Sequence, residues 1–351
     1  MSDGFDAGPA RLAKVDPGSG CRIARIAPKP SRNYRWLHIA RLLNCVTEPH
    51  LGHVLSRHWF GSLMKRGVVR VGISGWTYAP WRGVFYPRGL PQHHELHFAA
   101  DRFQAIEING TFYGLQKPDS YQAWGSQVGA DFVFAVKGPR FITHIRRLKD
   151  IETPLANFMA SGVLALGAHL GPILWQFPPN MRFDPQRMAA FLDLLPRDSE
   201  QAVELATRHD HRLPTPPWTT IDHNRKLRHA IEVRHESFLT AGFLDMLRAH
   251  NAALVCADSP SWPRLMDVTA DFVYCRLHGA IEAYTSGYED DVLQQWATRA
   301  KAWADGDEPK DGTLIGSKAR RQRRDVFIFF DNDRKVRAPA NALELIRRMR
   351  T

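Results

Sequence analysis

Two textures divide the chain. From Val68 onward, short apolar runs alternate with stretches in which apolar positions recur every third or fourth residue. The first pattern suits strands buried between two layers; the second suits helices with one apolar face. The runs predict strands at Val69–Trp76, Ala105–Tyr113, Phe132–Lys137, Pro172–Phe177, Ala230–Arg234, Ala253–Asp258, Phe272–His278 and Val326–Asp331. Helix-compatible stretches separate them: Leu96–Phe103, Leu155–Leu166, Pro185–Leu195, Leu239–His250 and Asp290–Ala304, with Asn341–Met349 after the eighth strand. Such alternation predicts parallel strands joined by crossover helices. Eight units point to a single-domain α/β fold, a closed (β/α)8 TIM-like barrel over 68–351; an open doubly wound sheet usually has fewer strands. Between Leu195 and Ala230 the rhythm breaks. Pro196, Pro214, Pro216 and Pro217 predict a surface loop, following a short helix near Glu200–Arg208.

Residues 1–67 show no sustained period. Gly, Pro and Arg are scattered through Pro9–Arg32, and only Tyr34–Val46 suits a short helix. The expectation is a disordered N-terminal extension. Met64 stands just before the first strand, which makes it a candidate natural start, with 1–63 as upstream sequence. A basic arm that binds something acidic is the competing reading.

Charge sharpens this division. The chain carries a net +11, which raises nucleic acid as a partner. Of its 47 Lys+Arg and 36 Asp+Glu, 11 and 4 fall in residues 1–67, leaving 36 against 32 for the barrel. Most of the excess therefore belongs to the extension. Cys21, Cys45, Cys256 and Cys275 are too scattered for a disulfide framework, and no CxxC pair suggests zinc. Reduced thiols, no membrane-spanning run and no secretory signal make a cytoplasmic location the expectation, with no membrane and no obligate protein partner implied.

Strand side chains alternate in direction, so parity assigns faces. In the second strand Ile106 and Ile108 face the helices, while Glu107 and Asn109 face inward. Lys137 ends the third strand inward. The fifth sends Glu232 and Arg234 inward, the sixth Asp258, and the seventh Arg276 and His278. A purely structural barrel fills these layers with Val, Ile and Leu, and barrel enzymes place catalytic groups at the C-terminal strand ends. Burying unpaired charge is costly, so the alternative to a catalytic site is a buried ion-pair network, Glu107 and Glu232 against Lys137, Arg234 and Arg276.

This set supports an enzyme of hydrolase or lyase type acting on an anionic, phosphorylated or nucleotide-like substrate. Lys137, Arg234 and Arg276 would hold the anion. Glu107 or Glu232 would act as general base, and His278 as general acid or proton shuttle. Two alternatives stay open. One is a non-catalytic nucleic-acid module. The other is a metal-dependent hydrolase in which Glu107, Glu232, Asp258 and His278 ligate a divalent ion; no motif implies a resident cofactor or metal. Trp76, Tyr78, Trp81, Phe85 and Tyr86 after the first strand, and Phe112 and Tyr113 after the second, could frame the mouth and stack on a base or sugar. Ser74 and Gly75 could offer backbone N–H groups to an anion.

Other signals carry less. Gly72-Ile73-Ser74-Gly75-Trp76 lacks the last Gly of a nucleophile elbow. His93 and His97 share a helix face without an acidic HExxH context, and His209 and His211 fall near the proline-rich loop. The basic run Lys318–Arg324 precedes the eighth strand, so it belongs at the opposite end of the barrel as a solvated loop. No P-loop or GxGxxG element follows a strand.

Several motifs, in order, resemble the YecE-like family, the domain-of-unknown-function family numbered seventy-two. They are Gly72-Ile73-Ser74-Gly75-Trp76, Phe85-Tyr86-Pro87, Glu107-Ile108-Asn109 with Phe112-Tyr113, Gln176-Phe177-Pro178-Pro179, Glu232-Val233-Arg234-His235 and Tyr274-Cys275-Arg276-Leu277-His278-Gly279. The resemblance covers about Val68 to the C-terminus and implies a TIM-barrel-like fold. It implies no established reaction; the link to endonuclease-type, phosphate-handling barrels is an analogy of sites. Through these motifs Gln176 and His235 join Ser74, Trp76, Asn109 and Tyr113 as candidate substrate contacts. So does Asn332, in Phe329-Phe330-Asp331-Asn332, where the family tends to carry a second Asn in place of Asp331.

Overall fold

The computed structural model describes residues 67–279, 281, 287–332 and 336–350. The expectations for residues 1–66, Met64 as a start among them, lie outside that range. Among the described residues eight strands run in chain order: β1 (Val69–Ser74), β2 (Ala105–Ile108), β3 (Val133–Lys137), β4 (Leu170–Gln176), β5 (His229–Glu232), β6 (Ala253–Asp258), β7 (Phe272–Leu277) and β8 (Asp325–Phe330). Each is parallel to its neighbours, and β8 pairs with β1, so the sheet closes as expected. The helices are α1 (Glu95–Ala100), α2 (Gly110–Tyr113), α3 (Pro118–Gly125), α4 (Glu152–Ala160), α5 (Pro185–Leu194), α6 (Ser199–Ala206), α7 (Ala241–Ala249), α8 (Asp290–Asp305) and α9 (Arg337–Arg350). No described helix is long and apolar enough to cross a membrane.

Local chemistry sets the element ends. Asp184, Asp198 and Thr240 cap α5, α6 and α7 by accepting from backbone N–H groups three residues on. β1 stops at Ser74 because Gly75 takes φ +81°. β2 stops at Ile108, five residues short of the expected end at Tyr113. Asn109 turns helical, and the Thr111 hydroxyl ties the turn to the Ile108 and Lys137 carbonyls at 2.9 and 2.6 Å. The expected helix Leu155–Leu166 breaks after Ala160, where Gly162 takes φ +114°. Pro214, Pro216 and Pro217 lie on the surface as predicted, but Pro196 is buried, with its carbonyl against His229 Nε2 at 2.8 Å.

Two apolar layers follow from strand parity. Outside the sheet, Ile73, Ile106, Phe134, Trp175 and Ile328 meet helix residues such as Phe191, Trp296 and Leu345. Inside, Ala105, Ala135, Ala230 and Ala253 are matched by Phe272, Tyr274, Phe327 and Phe329 from β7 and β8. Rings from one side thus fill the space that small residues leave on the other. Polar groups close both ends of this interior. At the N-terminal end Asp325 accepts from Arg228 at 2.9 Å, with Arg70 at 3.8 Å, and both guanidiniums lie over the Phe327 ring. Of the basic run, Arg324 departs from the solvated picture: it is buried, donating to the Ala270, Gln322 and Arg320 carbonyls.

The first strand's approach to the second gives a test of barrel closure. A Cβ on Gly72 would sit 1.8 Å from the Ala105 carbonyl oxygen. Gly72→Ala is expected to lower the unfolding free energy by about 1–3 kcal/mol. The readout is a lower urea midpoint at an unchanged m value; an unmoved midpoint counts against the close approach.

Candidate functional site

At the C-terminal end of the barrel the inward side chains converge on Arg276. Its guanidinium is 1% exposed. Nε and Nη2 grip Glu107 at 3.0 and 2.8 Å, Nη1 donates to Glu232 at 2.8 Å, and Nη2 also reaches Asp331 at 2.9 Å. Four of the five N–H groups are thereby used. Glu107 accepts in addition from Ser74 Oγ at 3.1 Å and the Tyr274 hydroxyl at 2.6 Å. Burial and the Glu107 charge push the Tyr274 phenol well above its ordinary pKa, so it remains a donor. Glu232 is further held by Arg234, through Nε at 2.8 Å and Nη2 at 2.7 Å. Burial opposes its charge, but the Arg234 and Arg276 guanidiniums overcome that and hold the carboxyl well below the usual range.

His278 lies within this network, fully buried. Nδ1 is 3.1 Å from Asp331, Nε2 is 3.8 Å from Glu232, and Trp262 packs edge-on against the ring. Burial lowers its pKa against the pull of Asp331, favouring the neutral ring. Asp331 is itself held down, to about 2: burial raises it, and Arg276 and His278 outweigh burial.

Around the rim the groups are less committed. Lys137 ends β3, and its side chain is mostly buried. Its ammonium lies 4.3 Å from the Phe112 ring centroid, and among the described residues no acceptor is within hydrogen-bond reach. Burial, then the Arg276 charge, lowers its pKa to about 8 despite Glu107, Asp331 and Glu232. His144 stands beside it on a π-turn, Phe141–Ile145. Its Nδ1 is 2.8 Å from Thr143 Oγ and its Nε2 is 3.4 Å from Gln176 Nε2. Burial, with Lys137 and Arg234, lowers it to about 4. Arg234 stacks at 3.7 Å over Trp262 and, among the described residues, leaves Nη1 without a protein acceptor.

The sequence-predicted residues therefore separate into groups. Ser74, Glu107, Glu232, Arg234, Arg276 and His278 come together, with Lys137 and Gln176 at the rim. The roles expected of several change. Arg276 is spent on three carboxylates and has no face left for an anion. Glu107 is saturated by four donors, which does not suit a general base. Asp258 does not point inward: it shares the outer face with Leu254 and Cys256, and pairs with Arg264 at 3.1 Å. With Asp258 outside and both glutamates bonded to guanidiniums, the proposed metal-ligand set is not assembled. Gly75 N–H is already donated to the Glu107 carbonyl. His235 accepts from Ser237 N–H and caps a turn, and Asn332 is buried against Asn341 of α9. The aromatic rim after β1 is instead packing: Trp81 and Tyr86 are buried, and Trp76 lies against Trp124. Trp76 and Asn109 line a separate cavity of about 700 Å³. Tyr113 is exposed.

Three participants escaped the sequence reading. Tyr274 has the parity of Arg276 and was available to the same argument. Asp331 was readable as the inward end of β8. His144 sits in an irregular turn, where periodicity assigns no face.

A family model described as "Protein of unknown function DUF72" matches residues 70–351. The chain belongs to this family. A curated relative, UPF0759 protein YecE of Escherichia coli K12, is 28% identical over 141 residues, covering 39% of this chain and 48% of that protein. The chain thus spans about half the length of the curated relative it matches. A DUF72 family protein from Thermotoga maritima superposes with TM-score 0.60 at 23% identity, over 81% of this chain and 100% of the other. One from Enterococcus faecalis gives TM-score 0.56 at 16% identity, over 82% and 100%. These likenesses show that the DUF72 barrel is shared.

The network predicts its own stability signature. Glu107→Gln is expected to destabilise the protein by about 3–5 kcal/mol in urea unfolding, because it leaves Arg276 short of a buried counter-charge. A loss below about 1 kcal/mol would contradict the network's role. Acid supplies a second test. The folded Asp331 carboxyl, at about 2, lies below its unfolded value of 3.8. Its stabilisation is therefore complete above the unfolded value and is lost as pH falls through about 4 towards 2. Asp331→Asn should flatten that limb of the stability–pH curve; an unchanged slope would show that Asp331 is not depressed.

Proposed function

We propose that the C-terminal mouth of this DUF72 barrel binds an anionic small molecule and acts on it as an enzyme. The observation that carries the reading is Lys137: a mostly buried side chain at the C-terminal end of β3 whose ammonium, among the described residues, has no hydrogen-bonded acceptor and packs against the Phe112 ring. Glu107, Asp331 and Glu232 offset its charge from a distance but leave its N–H donors without an acceptor, which a ligand anion would supply. Arg234 adds its uncommitted Nη1. Gln176 and His144 line the approach and supply an amide donor and a neutral imidazole for proton exchange. The Arg276 network fixes Arg234 through Glu232 and holds the strand ends in register, so the binding groups are preorganised. The location agrees with the end at which barrels of this type carry chemistry.

Sulfate tests the reading, because its own charge does not change across neutral and alkaline pH. Lys137 faces Glu107, Glu232, Asp331 and Arg276, and burial brings its own titration down to about 8. Sulfate affinity by calorimetry should fall as pH rises through about 8. Lys137→Arg should keep binding through pH ~9.5, since a guanidinium stays charged. Lys137→Met should lose binding throughout. Sulfate binding that survives Lys137→Met, or a flat wild-type pH profile, would reject Lys137 as the anchor.

A further inference from the structure

Beside Lys137 lies a cavity of about 400 Å³, walled by Phe112, Tyr113, Phe141, Ile145 and Pro154 and edged by Arg140. Three of its walls are unusually exposed for apolar side chains: Tyr113 at 74%, Phe141 at 42% and Ile145 at 57%. They make up a third of the nine large apolar side chains exposed among the described residues. Clustering of this kind, with polar groups at the edge, marks a ligand groove more often than ordinary surface.

Two connections join the cavity to the anion site. The Phe112 ring lines the cavity and also packs against the Lys137 ammonium. The π-turn that places His144 by Gln176 places Phe141 and Ile145 on the cavity wall. That turn runs into three residues with left-handed backbone: Arg147 at φ 49°, Leu148 at 65° and Asp150 at 48°. Non-glycine residues adopt such angles at a cost, and they concentrate where function fixes the shape of a loop. One segment thus shapes both the charged and the apolar part.

We infer that the ligand is an amphipathic anion, its charged head at Lys137 and an aromatic or apolar body in the Phe112–Tyr113–Phe141–Ile145 cavity. This rests on the anion reading of the mouth and adds the substrate class. Arg140 and Arg212 outnumber Asp210 among the charged groups lining the cavity, and with the neighbouring ammonium they select against a neutral apolar ligand and favour a phosphate or carboxylate ester or acid with a ring or chain attached. Tyr113 and Phe141 offer faces on which a ring can stack.

The experiment compares 1-naphthyl phosphate with inorganic phosphate by calorimetry at one pH near neutrality. Burying the naphthyl body should make the ester bind about tenfold tighter or more. Ile145→Ser and Tyr113→Ser, both at exposed positions that tolerate change, should bring the ester close to phosphate. Lys137→Met should weaken both compounds. Equal wild-type affinities, or ester binding indifferent to Ile145 and Tyr113, overturn the inference while leaving the anion site standing. Binding of both compounds that ignores Lys137 overturns the reading beneath it, and failure of both to bind overturns the two together. Dimerisation abolished by Ile145→Ser would assign the cavity to a second copy of the chain and also overturn the inference.

Discussion

One guanidinium carries the top of this barrel. Three strand ends, β2, β5 and β8, deliver carboxylates into a space from which water is excluded. Left alone they would repel one another and each would lose its hydration. Arg276 answers all three with four donated hydrogen bonds. Its partners lie up to 169 residues away in the chain, so the contact ties the first half of the barrel to the last. Tyr274 and Ser74 complete the shell, and Arg234 extends it outward to the mouth.

The consequence for function is a division of labour. The residues that look most catalytic, Glu107 and Arg276, are the most thoroughly satisfied. Their work is to hold geometry. The groups with unused bonding capacity are one layer further out: Lys137 at the end of β3 and Arg234 stacked on Trp262. The inner network's three carboxylates face Arg276, Arg234 and Lys137, so formal charge is balanced before a ligand arrives only if the lysine is protonated.

Much of this was readable from the sequence, and the limits have physical causes. Strands with a clear alternation, such as Ala105–Ile108 and Phe272–Leu277, assign Glu107 and Arg276 to the interior directly. β6 reads Ala-Leu-Val-Cys-Ala-Asp, apolar on both faces because both are buried, so its pattern does not separate the faces and the inward assignment of Asp258 fails. Asn332 lies against Asn341, where it secures α9. His144 lies in a π-turn, where neither the strand nor the helix period applies. An ion network of Glu107 and Glu232 against Arg234 and Arg276 is legible from parity and is what forms; which carboxylate meets which guanidinium is not, because that depends on stagger around the closed sheet.

The barrel interior is lopsided. Alanines line it on β2, β3, β5 and β6, and rings from β7 and β8 reach across to them. Volume is therefore conserved across the interior as a whole and not strand by strand. A substitution at Ala135 or Ala230 is therefore not independent of one at Phe327 or Phe329: a methyl gained on one side has to be surrendered on the other. Sequence comparison that weighs such positions singly would see variability, where the physical constraint is a sum.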